Sequence, residues 1–322
     1  MPTPFTADGW PIATCLHGVP TTASSGEPLH EASDEEWSKA LRLVASVGFG
    51  VAELADSHAR IGDMSPSRLL ELKAVFAENG IIAPSVHVQR KSVIEPGKGE
   101  ENLAYAHRTI DAAAAWGMEV VSTGLHQPFT AAQRRALWFW TEPGPRDPDD
   151  PEIWALAVSR LRQLGRHAAD VGLELSLEMY EDTYLGSADD AVRLVEAIDL
   201  PNVGLNPDIG NLVRLHRPIE DWRLAYAKTL PYANYWHIKN YNRDEAAGLT
   251  TSTPSTLEQG IINYRQVISD AVSGGYRGIF LMEHYGGDSL GVCATNREYV
   301  RDVLAHAVAE VNRAEAQASA AH

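Results

Sequence analysis

The sequence predicts an α/β protein built as a (β/α)8 TIM barrel. Eight short apolar strands alternate with eight helical segments and leave no block over, the pattern of parallel strands joined by crossover helices. One strand, Glu174–Met179, alternates leucines with Glu174, Ser176 and Glu178, so a polar face lies inside a helix-covered structure, where a carboxylate needs a partner. The competing topology, an open doubly wound sheet, lacks its Gly-rich phosphate fingerprint after the first strand.

Ile12–Leu16 reads as the first strand, followed by a Gly/Pro/Ser-rich loop. Ser33 caps a helix running to Val47, with Glu36 placed as a capping-box partner. Val51–Leu54 is the second strand, containing Glu53. Ser65-Pro66 opens a second helix, closed by Asn79-Gly80, because Pro suits the first helical position. Ile81–Val88, the helix Gly99–Trp116 and the strand Met118–Thr123 follow. The segment 124–151 is the longest irregular stretch, and a connection of that length predicts a functional, lid-like loop. It contains His126 and the group Trp138-Phe139-Trp140.

Beyond it come the helix Glu152–Val171, the strand Glu174–Met179 and the helix Ser187–Ile198. The strand Val203–Asn206 reaches Asp208, and a mostly helical stretch spans Pro218–Leu230. The strand Ala233–Ile238 holds His237, a Ser/Thr-rich loop leads to the helix Asn263–Ser273, and Gly278–Met282 reaches Glu283. A last helix from Ala294 to Arg313 leaves 314–322 as a fraying helix or a frayed tail. One barrel domain over 1–322 is expected.

Net charge is −16, from 43 acidic and 27 basic residues, which opposes nucleic-acid binding. No 18-residue apolar run predicts a membrane span, and Met1–Trp10 does not read as a secretory signal. Isolated Cys15 and Cys293 fit a reducing cytoplasm, with a disulfide between them as the alternative.

Active sites of such barrels lie at the C-terminal strand ends. Glu178, Asp208, His237 and Glu283 occupy four consecutive ends. A single strand-end carboxylate is usually a loop hydrogen-bond partner, but four side by side read as a metal site. Three carboxylates and an imidazole suit Mn2+ most, with Mg2+, Co2+ or Fe as alternatives, more than zinc. Positions left open on such an ion would take adjacent oxygens of a hydroxy-ketone or diol.

The segments Leu175-Ser176-Leu177-Glu178-Met179, Val203 to Asn211, Asn234 to Asn240 and Gly278 to His284 resemble the xylose-isomerase-like sugar isomerase/epimerase superfamily. The resemblance spans roughly residues 10–310. It implies one divalent ion on Glu178, Asp208, His237 and Glu283, with the two glutamates moving the proton in ordinary ketose epimerases. The sequence departs where such epimerases carry His three residues after the Asp ligand. Here Asn211 stands, able to hydrogen-bond a substrate oxygen but not to act as a charged acid.

More narrowly, Asn206 to Pro218, His237 to Tyr241, Glu283 to Asp288 and Val292 to Arg297 resemble the large subunit of bacterial C-glycoside deglycosidases. That resemblance implies cleavage of the carbon–carbon bond between a 3-oxo-sugar and an aromatic aglycone, together with a small β-rich partner subunit; an oligomer is expected. A base outside the ligand set is then useful, and His126, just past the fourth strand, is assigned to it. A loop His making surface hydrogen bonds is the alternative. His87, Lys239 and Asn211 are assigned to substrate contacts, and Arg297 to an anionic or phenolic group or to a helix cap. Trp138, Phe139 and Trp140 stack a flat aglycone or pack the lid or a partner. His17, Glu53, Asn240 and His284 are further polar residues near strand ends.

The competing activities are a ketose isomerase or epimerase using Glu178 and Glu283, and a keto-inositol dehydratase. Apurinic endonucleases share the superfamily, but their additional histidine ligands and basic groove do not match this chain.

Overall fold

In the computed structural model, which describes residues 6–320, parallel strands close into the barrel. The strands are β1 (Ile12–Thr14), β2 (Leu54–Ala55), β3 (Ser85–Val88), β4 (Val120–Thr123), β5 (Glu174–Glu178), β6 (Val203–Asn206) and β7 (Trp236–Ile238). An antiparallel hairpin, β8 (Asn240–Asp244) and β9 (Thr251–Ser255), intervenes before β10 (Phe280–Met282) completes the ring. Hydrogen bonding runs β2-β3-β4-β5-β6 and β1-β10-β7. Parallel bridges Thr14–Ala52 and Leu205–Ala233 seal the two arcs.

The helices start and stop where local chemistry directs. α1 (Asp34–Ser46) begins at Ser33, whose hydroxyl accepts from Glu36 N. The predicted capping box does not close, because Glu36 Oε2 accepts from Ser24 N and Oγ, both at 2.9 Å, instead of turning back to the Ser33 amide. α2 (Pro66–Glu78) has Ser65 as cap and Pro at its first turn. α3 (Gly99–Trp116) stops at Gly117, whose φ of 85° suits glycine. α4 (Ala131–Arg135) is a short helix inside the lid segment, held by a Thr130/Gln133 capping box. α5 (Pro151–Asp170) and α6 (Ala188–Ile198) are capped by Asp150 and Ser187. α7 (Gly210–Val213) is a single turn after Asp208, and α8 (Trp222–Thr229) begins only at Asp221, later than the predicted Pro218. α9 (Tyr264–Ser273) and α10 (Ser289–Ala320) complete the outer layer.

α10 corrects one expectation. It starts before Ala294, because Asp288 Oδ1 accepts from Gly291 N at 2.9 Å and starts the turn. It continues as helix through 314–320, the helical one of the two forms expected there; residues 321–322 lie outside the described residues. Among the described residues, no helix is long and apolar enough to cross a membrane. Cys15 and Cys293 are buried free thiols, not a disulfide.

The packing forms two layers. A large cluster, including Trp37, Phe76, Leu161, Leu175, Leu177 and Ile198, fills the space between strands and helices. A smaller one, Ala13, Cys15, Val120, Tyr235, Ile279 and Leu281, fills the barrel interior. Above that plug the inward positions turn polar: Ser85, Ser122 and Ser176 are fully buried, and Glu178 follows two residues beyond Ser176 on the same face.

Candidate functional site

The strand ends bring Glu178, Asp208, His237 and Glu283 together, with one ligand atom of each within 4.8 Å of the others. Each owes its place to local backbone. Glu178 ends β5, Asp208 stands in the turn between β6 and α7, His237 lies within β7 in register with Leu281, and Glu283 follows β10. All four are buried.

The donor set fits a divalent cation. Asp208 Oδ1, Glu178 Oε2 and His237 Nδ1 are buried without a hydrogen-bond partner, a costly state for such groups. His237 Nδ1 lies 3.4 Å from Glu283 Oε2 and 3.8 Å from Glu178 Oε1. Its Nε2 faces Glu53, at 3.2 and 3.3 Å from the two carboxylate oxygens. That contact holds Nε2–H toward Glu53 and turns Nδ1 toward the carboxylates, where a cation would displace the proton that Glu53, Glu283 and Glu178 otherwise favour on the ring; this is the arrangement of a metal-ligating histidine with an orienting carboxylate. Burial pushes Asp208 up to about 7, against the opposing pull of Lys239. A dication at the tetrad would remove that penalty and keep the carboxylate ionised.

Two residues assigned to substrate contacts instead brace this tetrad. Asn211 Nδ2 donates to Glu178 Oε1 at 2.9 Å, Met179 O at 2.9 Å and Asp208 Oδ2 at 3.1 Å. Lys239 Nζ donates to Asp208 Oδ2 and to Glu283 Oε2, the latter at 2.7 Å. Neither lines the cavity in front of the tetrad. Lys239 follows His237 by two positions and shares its inward side, but the nearest acceptors there are ligand carboxylates.

The other expected residues divide. His87 and His126 do face the site: His87 Nε2 is 2.7 Å and His126 Nε2 3.1 Å from Glu178 Oε2. These contacts are close but not aligned as hydrogen bonds, and both ring nitrogens of His126 lack a partner. His126 is therefore a buried imidazole, not the surface loop His of the alternative reading. Burial lowers its pKa, with Glu178 only partly offsetting this, so it is neutral near pH 7. For His87 burial acts the same way, but Glu178 and Glu53 outweigh it and raise the value. Gly124 makes the His126 position possible, because a Cβ there would lie 2.6 Å from His126 Cε1.

Arg297 is not at the site. Its guanidinium lies over Phe49 and donates to Val47 O at 3.4 Å, closing the C-terminal end of α1. The reason is position: it lies two turns into α10, away from β10's C-terminal end. Of the alternatives weighed, the helix cap is the one its contacts match.

The cavity in front of Glu178 and Glu283 holds about 230 Å³ and is lined further by His17, Gln89, Arg90, Phe129, Phe139, Tyr180 and Tyr285. Sequence reasoning named His17 only in passing and missed Gln89, Arg90, Phe129, Tyr180 and Tyr285. Gln89 directly follows β3, and Tyr180 and Tyr285 follow ligand glutamates by two positions, which was a usable signal. Phe139 faces the cavity, whereas Trp140 is buried in the lid, donating Nε1–H to Ser252 Oγ at 3.2 Å and stacking on Trp138. The aromatic group thus splits between wall and lid packing.

Comparison with known proteins agrees with this geometry. The family pattern described as "Xylose isomerase-like TIM barrel" matches residues 41–307. A crystal structure of a xylose isomerase-like TIM barrel protein from Mycobacterium smegmatis, in complex with magnesium, is 46% identical with a TM-score of 0.90, over 94% of this chain and 99% of that one. D-psicose 3-epimerase from Clostridium cellulolyticum H10 superposes with a TM-score of 0.61 at 17% identity, over 94% and 98%. The 3-keto-D-glucoside 4-epimerase from E. coli superposes with a TM-score of 0.61 at 16% identity, over 91% and 99%. At those identities the last two show the fold alone. No functionally curated protein matches the chain.

Proposed function

Since the chain belongs to the xylose-isomerase-like TIM-barrel family, we propose that it is a divalent-metal-dependent carbon–carbon lyase that cleaves 3-oxo-C-glycosides. One observation carries the choice of lyase. Glu178 is enclosed by the Asn211 amide on one oxygen and by the His87 and His126 rings on the other, while His126 is a neutral imidazole with no other partner. Glu178 is thereby suited to anchoring, and proton transfer falls to His126. Beyond this end the cavity is walled by Phe129, Phe139, Tyr180 and Tyr285, which suits an aryl group better than a bare hexose.

Glu178, Asp208, His237 and Glu283 would hold the ion; Mn2+ is our choice, and magnesium in the Mycobacterium smegmatis relative keeps Mg2+ beside it. When bound, the ion supplies Lewis-acid polarisation of a keto and an adjacent hydroxyl oxygen. His126 takes the proton from C2 of the 3-oxo-sugar, whose acidity comes from the neighbouring carbonyl. The C1–aryl bond then breaks, a C1=C2 double bond forms, and the aryl carbon receives the proton held by His126. Lys239 and Asn211 keep the carboxylates in place throughout, and the aromatic walls exclude water.

Metal-loaded protein, supplied with a small β-rich partner subunit, should release aglycone from a 3-oxo-C-glycoside but not from the unoxidised glycoside, and chelation should stop release. Absence of release under those conditions sinks the lyase. A second reading, a ketose isomerase or epimerase, is favoured by Glu178 and Glu283 both lining the cavity. Solvent deuterium entering free ketoses at C2 or C3 would select it.

A further inference from the structure

Arg90 lines the cavity in front of the tetrad. Its guanidinium lies 3.2 Å from the centroid of the Phe129 ring, and it donates to Gln127 O at 3.2 Å and Tyr180 Oη at 2.9 Å. These acceptors engage two of its five N–H groups and neither is charged. No carboxylate among the described residues pairs with it, whereas the buried cations nearby are neutralised, Arg214 by Glu181 and Lys239 by Asp208 and Glu283. It is also the only permanently cationic residue among those lining the cavity. Its backbone stands at φ 52°, a left-handed conformation that strains a non-glycine residue and clusters at functional sites.

A half-buried guanidinium, held on three sides and open to a ligand cavity without a counter-ion, is built to receive an anion. We propose that Arg90 determines specificity by selecting ligands whose aryl portion carries an anionic oxygen, either a carboxylate or an ionised phenol. The inference rests on the proposed placement of an aryl group between Phe129, Phe139 and Tyr180. It adds that the group is acidic and presents its charge to Arg90.

The test is equilibrium binding to Mg2+-loaded protein, followed by tryptophan fluorescence, and needs no turnover. Benzoate is compared with benzamide, and 4-nitrophenolate with 4-nitroanisole at a pH where the phenol is ionised; the two pairs separate carboxylate from phenolate. The expected result is about tenfold or greater preference for the anionic member of at least one pair. Arg90→Gln should abolish that preference while leaving neutral-probe affinity within about threefold, and Arg90→Lys should keep part of it. Preference that survives in Arg90→Gln places the anion on the metal instead and overturns the proposal, as does equal binding of both members by the unmodified protein. A loss of neutral-probe affinity in both variants, with the preference intact, makes Arg90 a stacking support and overturns it as well. Failure of the lyase reading would appear separately, as absent aglycone release with the anion preference unchanged.

Discussion

Glu53→Gln tests the metal centre through a residue that touches no substrate. Glu53 and His237 are each 2% exposed, and His237 Nε2 sits 3.2 and 3.3 Å from the two Glu53 oxygens. The amide keeps the shape and one acceptor but removes the charge. A hydrogen bond to an ionised group is stronger than a neutral one by about 1.4 kcal/mol, which corresponds to about a tenfold loss of metal affinity, with about a hundredfold as the upper range for such supporting contacts. Apo stability should fall as well, because Glu53 is the leading opposite charge beside the buried His237 imidazole and raises its pKa. Calorimetric titration of chelator-stripped protein with Mn2+ and Mg2+, alongside denaturant unfolding of the same sample, separates the two effects. Affinity unchanged within twofold refutes the orienting role.

Gly124→Ala should displace His126, since the new Cβ would meet its ring at 2.6 Å; turnover should fall at least tenfold with metal affinity within twofold, read by steady-state kinetics and calorimetry. Trp140→Ala should cost about 3–5 kcal/mol in denaturant unfolding, because Trp140 is 4% exposed and packs against Tyr241 and Tyr285. Asp147 is raised to about 6 by burial, against hydrogen bonds from Tyr184 N and Gln127. The folded state thus holds that proton more tightly than the unfolded one, and the associated stability is present below about pH 4 and lost as pH rises through about 6. Asp147→Asn should therefore raise stability at pH 8, by up to about 3 kcal/mol, with the gain vanishing near pH 4 in paired unfolding curves.

The barrel and the grouping of the four strand-end residues were legible because they rest on local, repeated signals. Each strand is a short apolar run, each helix carries its own cap, and a period of two places Glu178 and Ser176 on one face. What the sequence hid depends on contacts between distant segments. The hairpin β8–β9 replaced an expected loop, because its Ser and Thr residues read equally as turn or strand until Tyr241 and Ser252 pack under the lid. Lys239 and Asn211 were placed on the correct side of the chain, but nothing local tells a substrate oxygen from a ligand carboxylate as acceptor. Arg297 shows the converse: a motif resemblance supplied a role, and the helical register of α10 carried the side chain to the other end of the barrel. Arg90 had no signal of its own, because its position depends on a left-handed backbone and on Phe129 and Tyr180, which come from two other strand–helix units.

The position of Asn211 does more than mark a departure from epimerases. A primary amide has two hydrogens, and here they are shared among Glu178 Oε1, Met179 O and Asp208 Oδ2. A histidine there would bring a ring nitrogen able to titrate; the amide cannot give up or take a proton near neutral pH. The amide donor that Glu178 receives on Oε1 therefore never changes state, and on Oε2 it meets two imidazoles that do. His87 and His126 both line the cavity, whereas His237, 3.8 Å from Oε1, turns its other nitrogen to Glu53 and does not line it. On the proposed lyase reading, an amide behind the ligands leaves acid–base chemistry to the β3 and β4 side, where the aryl leaving group would lie.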